Sequence, residues 1–277
     1  MRVILLGVRG STPAPGPAFL RYGGHTSCVA VVPDGAEVPT LVLDAGTGLR
    51  DLGARLGGAE AFQGSVVLTH LHWDHVQGLP FCPAVDRKQA RVDLLLPVPV
   101  GGPEPAGLLA RSMSPPHFPI GPEGLLGGWR FLRSVQGPCQ VEEFTVTTAE
   151  IRHKGGLTHG LRIESGGAVL AYLPDHAPAG GSAVAEALAD GADLLLHDGQ
   201  FLAGERSLAD GYGHATVPDA VAFAARCGVR RLVLTHHAPT RTDDQLDLLR
   251  AELDDLRCGG GRVELARQGD TLTVKAT

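Results

Sequence analysis

"SVVLTHLHWDHVQG", residues 65–78, runs from a Val- and Leu-rich segment straight into three histidines and an aspartate packed between His70 and His75. Side chains alternate along a strand, so His70 and His72 face one side if the chain is still extended at 70–72. Asp74 and His75 follow as the chain turns toward a short helix from residue 74. Neutral imidazole and carboxylate are ligands that suit zinc, iron or manganese. Two histidines on one side plus an adjacent Asp-His pair can therefore serve two metal ions. Incidental histidines in a polar turn would be scattered; these are not.

Strand-like runs surround the cluster at "RVILLG" (2–7), "SCVAVV" (27–32), "TLVLD" (40–44) and "SVVLT" (65–69), all bounded by Gly, Pro or Asp. Leu49, Leu52 and Leu56 fall at helical spacing in 47–56. The second half repeats the style. It predicts strands at 141–152, 160–165, 168–173, 192–197, 231–235 and 262–274, with helices near 182–190, 216–227 and 242–257. This is an α/β chain in which two β-rich halves pack sheet against sheet with helices outside. Near-continuous apolar strands agree with sheets covered on both faces. Residues 97–137 hold much Pro and Gly and little periodicity, which reads as a lid-like insertion in a single domain over 1–277.

At 43% apolar and 19% charged residues the chain can bury a large core. Its net charge of −6 and lack of like-charge runs give no electrostatic footprint for membrane or non-specific nucleic-acid binding. Five dispersed cysteines, with no C-x-x-C pair, read as reduced thiols in a cytoplasm. The apolar run at the N-terminus is too short for a signal peptide or a membrane span. No G-x-x-x-x-G-K-[ST] match is present, which disfavours ATP hydrolysis.

The pattern H-x-H-x-D-H after a strand resembles the signature of the metallo-β-lactamase fold superfamily. The resemblance covers nearly the whole chain. "LVLDAGTGLR", "RHKGG" and "AYLPDH" are similar to its early Asp-Gly turn, its single-His motif and its strand-end Asp motif. "HDGQF", "GYGHATVPDA" and "LTHHAPTRTDDQL" resemble the branch that contains tRNA 3′-processing endonucleases and small phosphodiesterases. The opening "GVRGSTPAPGP" with "RYGGHTSC" is similar to bacterial cyclic-nucleotide phosphodiesterase-like members. The resemblance implies a four-layer αββα sandwich of two mixed β-sheets and a binuclear site. One metal would take His70, His72 and His153, the other Asp74, His75 and His236, and Asp175 would bridge them. Zinc is the expected metal, with manganese and iron as alternatives.

Other residues follow from the same comparison. His159 rivals His153, but the "HKGG" context suits His153 better, although Lys154 stands where the motif usually has Pro. His236 is preferred to His237, which is then either a bracing or a substrate-facing residue. Asp44 would brace a metal ligand. His214 precedes a plausible N-cap, Thr216, and in this branch a histidine in that context sits by the phosphate. Asp74 and His214 are thus the expected catalytic residues. His117 and Phe118 are weaker candidates to face substrate, His197 is as well explained as a buried core residue, and His25 and His176 are unassigned.

The expected function is a binuclear metal-dependent hydrolase that cleaves a small phosphodiester, a cyclic nucleotide being one candidate, by attack of a metal-bridging hydroxide. A lactonase or β-lactamase type of hydrolysis, or a non-catalytic metal-binding protein, stands as the alternative. Asp175 follows His153 by only 22 positions, without room for the arm of the tRNA-processing enzymes. With the acidic net charge this argues against long nucleic acid. A homodimer is left open.

Overall fold

The apolar runs pair into two mixed sheets in the computed structural model, which describes residues 1–276 apart from 255 and 259. In chain order the strands are β1 (Arg2–Gly7), β2 (Cys28–Val32), β3 (Leu41–Leu43), β4 (Gln63–Val67), β5 (Arg91–Leu96), β6 (Gly128–Arg133), β7 (Gly137–Val141) and β8 (Phe144–Glu150). They continue with β9 (His159–Ser165), β10 (Ala168–Leu173), β11 (Leu194–Asp198), β12 (Arg231–Thr235), β13 (Arg257–Cys258), β14 (Gly261–Leu265) and β15 (Thr271–Thr273). Among the described residues the first sheet is ordered β15-β1-β2-β3-β4-β5-β6 and the second β13-β14-β12-β11-β10-β9-β8-β7. Strands β3 to β6 run parallel, as do β10, β11, β12 and β14.

The helices are α1 (Trp73–Val76), α2 (Pro105–Leu109), α3 (Ala183–Ala189), α4 (Arg206–Tyr212), α5 (Val217–Arg226) and α6 (Asp243–Leu253). Three apolar layers make four structural layers. Val3, Leu43, Val67, Phe144, Leu170 and Leu196 fill the space between the sheets. Leu49, Leu52, Val66 and Leu94 form the outer core of the first sheet. Leu188, Phe223, Leu246 and Leu249 pack α3, α5 and α6 onto the second. Val66 and Val67 lie in different layers, which is why β4 reads as an unbroken apolar run. The expected αββα sandwich is the architecture found.

Several local expectations change. Residues Thr47–Arg55 form a 3-10 helix, not an α-helix. Its buried Leu49 and Leu52 are three apart, the spacing that stacks on a three-residue turn. The predicted strand 141–152 divides into β7 and β8 at Glu142, whose φ is +51°. The stretch 262–274 divides as well, β14 joining the second sheet and β15 returning to pair with β1. The stretch 97–137 is no uninterrupted loop: it holds α2 and the edge strand β6. Neither β5 nor β6 reads as a strand because each carries charge, and that charge pairs across the ladder, Arg130 donating to Asp93 opposite it. The helix expected to 257 ends at Leu253; residue 255 lies outside the described residues.

The parallel strands aim their C-terminal ends at one edge, where open α/β sheets place their ligands. β3 ends before Asp44, β4 before His70, β10 before Asp175, β11 at Asp198 and β12 before His236.

Candidate metal centre

Asp175 is 2% exposed and lies among the histidines, with one carboxylate oxygen toward each of two groups. Its Oδ2 is 3.7 Å from His70 Nε2 and 3.5 Å from His153 Nε2. Its Oδ1 is 3.0 Å from His75 Nε2 and 3.3 Å from His236 Nε2. Asp74 Oδ2 stands 3.4 Å from His75 Nε2 and 3.1 Å from His236 Nε2. Donor atoms of His70, His72, His153 and Asp175 come within 4.8 Å of one another, and so do those of Asp74, His75 and His236. The residues of both expected half-sites are thus brought together, with Asp175 facing both groups.

The rings are oriented from behind. His75 donates Nδ1–H to Asp44 Oδ2 at 2.8 Å, His153 to the Gly213 carbonyl at 2.7 Å and His236 to Gln200 Oε1 at 3.0 Å. The Thr69 hydroxyl donates to Asp44, so it accepts from His70 Nδ1 at 3.0 Å. With Nδ1 engaged behind, each of these four rings turns Nε2 inward, the atom that would be left to a metal. Residue 155 must be glycine: its φ is +98°, and a Cβ there would lie 2.9 Å from His72 Nε2. His72 thus turns Nδ1 to the centre, 3.3 Å from His153 Nε2. A Cβ on Gly10 would likewise meet the His236 ring at 2.3 Å.

His70 Nε2, His75 Nε2 and Asp175 Oδ1 are buried without a hydrogen-bond partner. Buried polar atoms are normally satisfied, so three orphans converging on one point fit a cation. Burial pushes His70, His72 and His153 below the ordinary histidine pKa. Burial works against charge at His75 too, but the carboxylates of Asp175, Asp74 and Asp44 outweigh it and raise its pKa well above the usual value. Burial likewise opposes ionisation of Asp74, yet His75 and His236 hold it well below the usual carboxylate range. The donor set of imidazole and carboxylate, in a field that favours positive charge, fits divalent metal ions.

His214 adjoins both half-sites, its ring centroid 4.8 Å from that of His153 and 5.2 Å from that of His236. It donates Nδ1–H to Asp198 Oδ2 at 2.7 Å. Burial lowers its pKa, but Asp198 more than compensates and raises it to about 9. The capping box of α5, Thr216 with Asp219, holds the chain just after it. A cleft of about 480 Å³ opens over the centre, lined by Ser11, Trp73, Lys154, Tyr212 and His214 besides the ligand candidates.

Other expected residues separate. Asp44, at φ +57°, braces His75 and also accepts from the Thr69 amide and Tyr172 hydroxyl. His237 neither braces a ligand nor faces the cleft, contrary to expectation. It bonds to the Ala266 carbonyl at 2.9 Å and packs edge-on to Tyr22, because the positive φ of His236 turns successive side chains apart. His159 bonds to Ser134 at 2.7 Å, outside both half-sites. His197 and His176 pair at 2.9 Å against Phe223, and His25 lies by Thr47. His117 and Phe118 line a separate cavity beside Trp73.

Three contributors escape the sequence reading. Asp198 ends a strand in "LLLHDG" as Asp175 ends one in "YLPDH", a signal hidden by the neighbouring His197. Gln200 orients His236, and the Ser11 backbone N–H donates to Asp74 Oδ2 at 2.6 Å. No local pattern marks either.

A family model described as a β-lactamase superfamily domain matches residues 40–237. The chain is 29% identical to ribonuclease Z of Mycobacterium avium, over 98% of its own length and 96% of that protein. It is 44% identical to ribonuclease Z of an Exiguobacterium species over 70 residues, so that match spans 25% of this chain and only 22% of the relative. Among solved structures, a diphosphatase of the PhnP family superposes with a TM-score of 0.73 at 18% identity, over 99% of this chain and 98% of that one. Zinc-bound PqqB from Methylobacterium extorquens superposes at 0.70 and 23% identity, over 99% and 100%. At those identities the likeness speaks for the fold.

Proposed function

The chain belongs to the β-lactamase superfamily, and from that premise we propose that it is a metal-dependent hydrolase of phosphodiesters. The metals would be held by His70, His72 and His153 on one side, by Asp74, His75 and His236 on the other, and by Asp175 between them. Divalent ions there supply Lewis acidity and a nucleophile from water at neutral pH. Zinc is our choice, since it favours this donor set and is the metal named for PqqB.

The observation that carries the diester reading is the His214–Asp198 pair beside that centre. With its pKa at about 9, His214 is protonated at neutral pH. Its Nδ1–H stays with Asp198, leaving Nε2–H free to neutralise charge on a phosphoryl oxygen or to protonate a departing alkoxide. Hydrolysis at phosphorus needs such a donor, because an alkoxide is a poor leaving group. Asp74 is fixed as an anion by His75, His236 and the Ser11 N–H, ready to orient the nucleophile.

A small diester fits the cleft, and residues 153–175 contain only the β9–β10 hairpin and its approaches. The expectation that long nucleic acid is an unlikely substrate is not supported, since relatives are named ribonuclease Z. RNA therefore belongs in the test. No helix among the described residues is long and apolar enough to cross a membrane.

The test is turnover of bis(p-nitrophenyl) phosphate, a short RNA, a lactone and a β-lactam by zinc-loaded protein and by His214→Ala at equal metal content. Diester cleavage is expected, and His214→Ala should lose far more of it on the RNA, whose leaving group is an alkoxide, than on bis(p-nitrophenyl) phosphate, whose nitrophenolate departs without a proton. Ring opening without diester cleavage would replace this reading with the lactonase one.

A further inference from the structure

α1 has two faces. One carries Asp74 and His75 into the metal centre. The other, with Trp73 and Val76, walls a second cavity of about 370 Å³, closed by Phe81, Leu109, Met113 and Phe118, with Arg111 and His117 among its polar lining. That volume is at the lower end of the roughly 300–1,000 Å³ usual for small-molecule pockets.

Trp73 lines both cavities, so they are neighbours across one side chain. Its exposure is 75% and that of Phe81 is 65%. Two large apolar groups left in water beside a reactive centre mark a binding surface. Phe81 and Phe118 meet edge to face at 5.7 Å, which leaves ring faces for a third planar group. The Arg111 side chain makes no hydrogen bond or ion pair among the described residues, and an unpaired guanidinium stacks well on an aromatic face.

We propose that this cavity seats a planar aromatic group, an aryl ring or a nucleobase, on one arm of the substrate while the phosphate lies in the metal cleft. The proposal rests on the phosphodiesterase reading. It assigns Trp73, Phe81, Arg111 and Phe118 to substrate selection, and α2 with the segment after it supplies the wall that defines the accepted arm.

Two measurements on the zinc-loaded chain test it. The first compares bis(p-nitrophenyl) phosphate with methyl p-nitrophenyl phosphate, which share a leaving group and differ in the second arm. Phe118→Ala and Phe81→Ala should each reduce the ratio of kcat/KM values, diaryl over methyl, by about tenfold, the loss of one ring contact. The second follows Trp73 fluorescence in Trp129→Phe, where Trp73 is the one tryptophan left, and phenylphosphonate should bind about tenfold tighter than methylphosphonate. An unchanged ratio in both folded variants, with equal phosphonate affinities, overturns the cavity assignment while diester turnover leaves the activity standing. Absence of diester turnover removes the activity instead. The phosphonate comparison then decides the cavity by itself, a preference for phenylphosphonate supporting it and equal affinity overturning it.

Discussion

His214 donates Nδ1–H to Asp198 at 2.7 Å, and among the described residues no other titratable side chain in the cleft is tethered to a carboxylate outside the two half-sites in this way. Asp198 in turn is held by the backbone N–H groups of His176 and Gln200, at 3.2 and 3.0 Å. It is therefore a fixed acceptor that orients the imidazole, which is what a general acid requires. On the RNA, His214→Ala should lower kcat by roughly 100-fold or more, and Asp198→Asn by about tenfold. Zinc content should equal that of wild type in both. Loss of metal in either variant would make His214 a ligand instead of a proton donor.

Among the described residues Asp175 is the one carboxylate in contact with both half-sites, so its removal should uncouple them from their metals together. Asp175→Ala is expected to retain at most one zinc per chain after dialysis, against two in wild type, by elemental analysis. Alanine also leaves the buried, charged His75 without its nearest carboxylate, so the metal-free variant should be less stable than metal-free wild type in urea at neutral pH. Two retained zinc ions would show that Asp175 is not the bridge.

Asp44 acts through His75. Asn at position 44 tolerates the positive φ and keeps the shape, but it halves the acceptor capacity used by His75, Thr69 and Tyr172. Zinc affinity of the half-site with His75 should fall roughly 10–100-fold in Asp44→Asn, read by competition with a chromophoric chelator. The other half-site should hold its metal. Equal loss at both would mean that the substitution disturbs the fold rather than one ligand.

Arg9 is fully buried and joins three segments. Its Nε donates to the Gly23 carbonyl at 2.7 Å, and Nη1 to those of Arg241 and Ala238 at 2.7 and 3.3 Å. Asp243 lies 3.6 Å away. Burial lowers the guanidinium pKa to about 10 even with that carboxylate near. Removing one member of a buried polar network leaves the rest unpaired, so Arg9→Met should cost about 3–5 kcal/mol in urea unfolding. Because this network anchors the loop after His236, zinc should weaken in the same variant.

The core of this architecture was legible because β1, β10 and β12 are apolar runs with clear punctuation. The two His/Asp groups were legible because their members follow strands in short motifs. What was hidden has physical causes. β5 and β6 put Asp93 and Arg130 inside a ladder, where the pair satisfies itself but breaks the apolar pattern. The 3-10 helix at 47–55 shares its leucine spacing with an α-helix, and only the tighter turn separates them. Asp198, Gln200 and Ser11 act on residues 16, 36 and 63 positions away, contacts that no local pattern encodes. The turn at His236 sends His237 into the core, and a doublet of identical residues carries no sign of that.

His159 makes acid stability testable apart from the metal centre. It is 1% exposed, its Nε2 has no partner, and burial lowers its pKa to about 4. In the unfolded chain the same ring titrates near 6.5. Between those values the unfolded state binds the extra proton, so stability falls as pH drops from about 6.5 toward 4 and the loss levels off below. From pH 7 to pH 5 this ring alone should cost about 2 kcal/mol. His159→Gln, with an uncharged side chain that can still reach Ser134, lacks that loss. With chelator present throughout, to keep metal release out of the comparison, the drop in urea-unfolding free energy between the two pH values should be about 2 kcal/mol smaller in His159→Gln. An equal drop would place the acid sensitivity elsewhere, with the buried His176–His197 pair next in line, since burial lowers both of those pKa values as well.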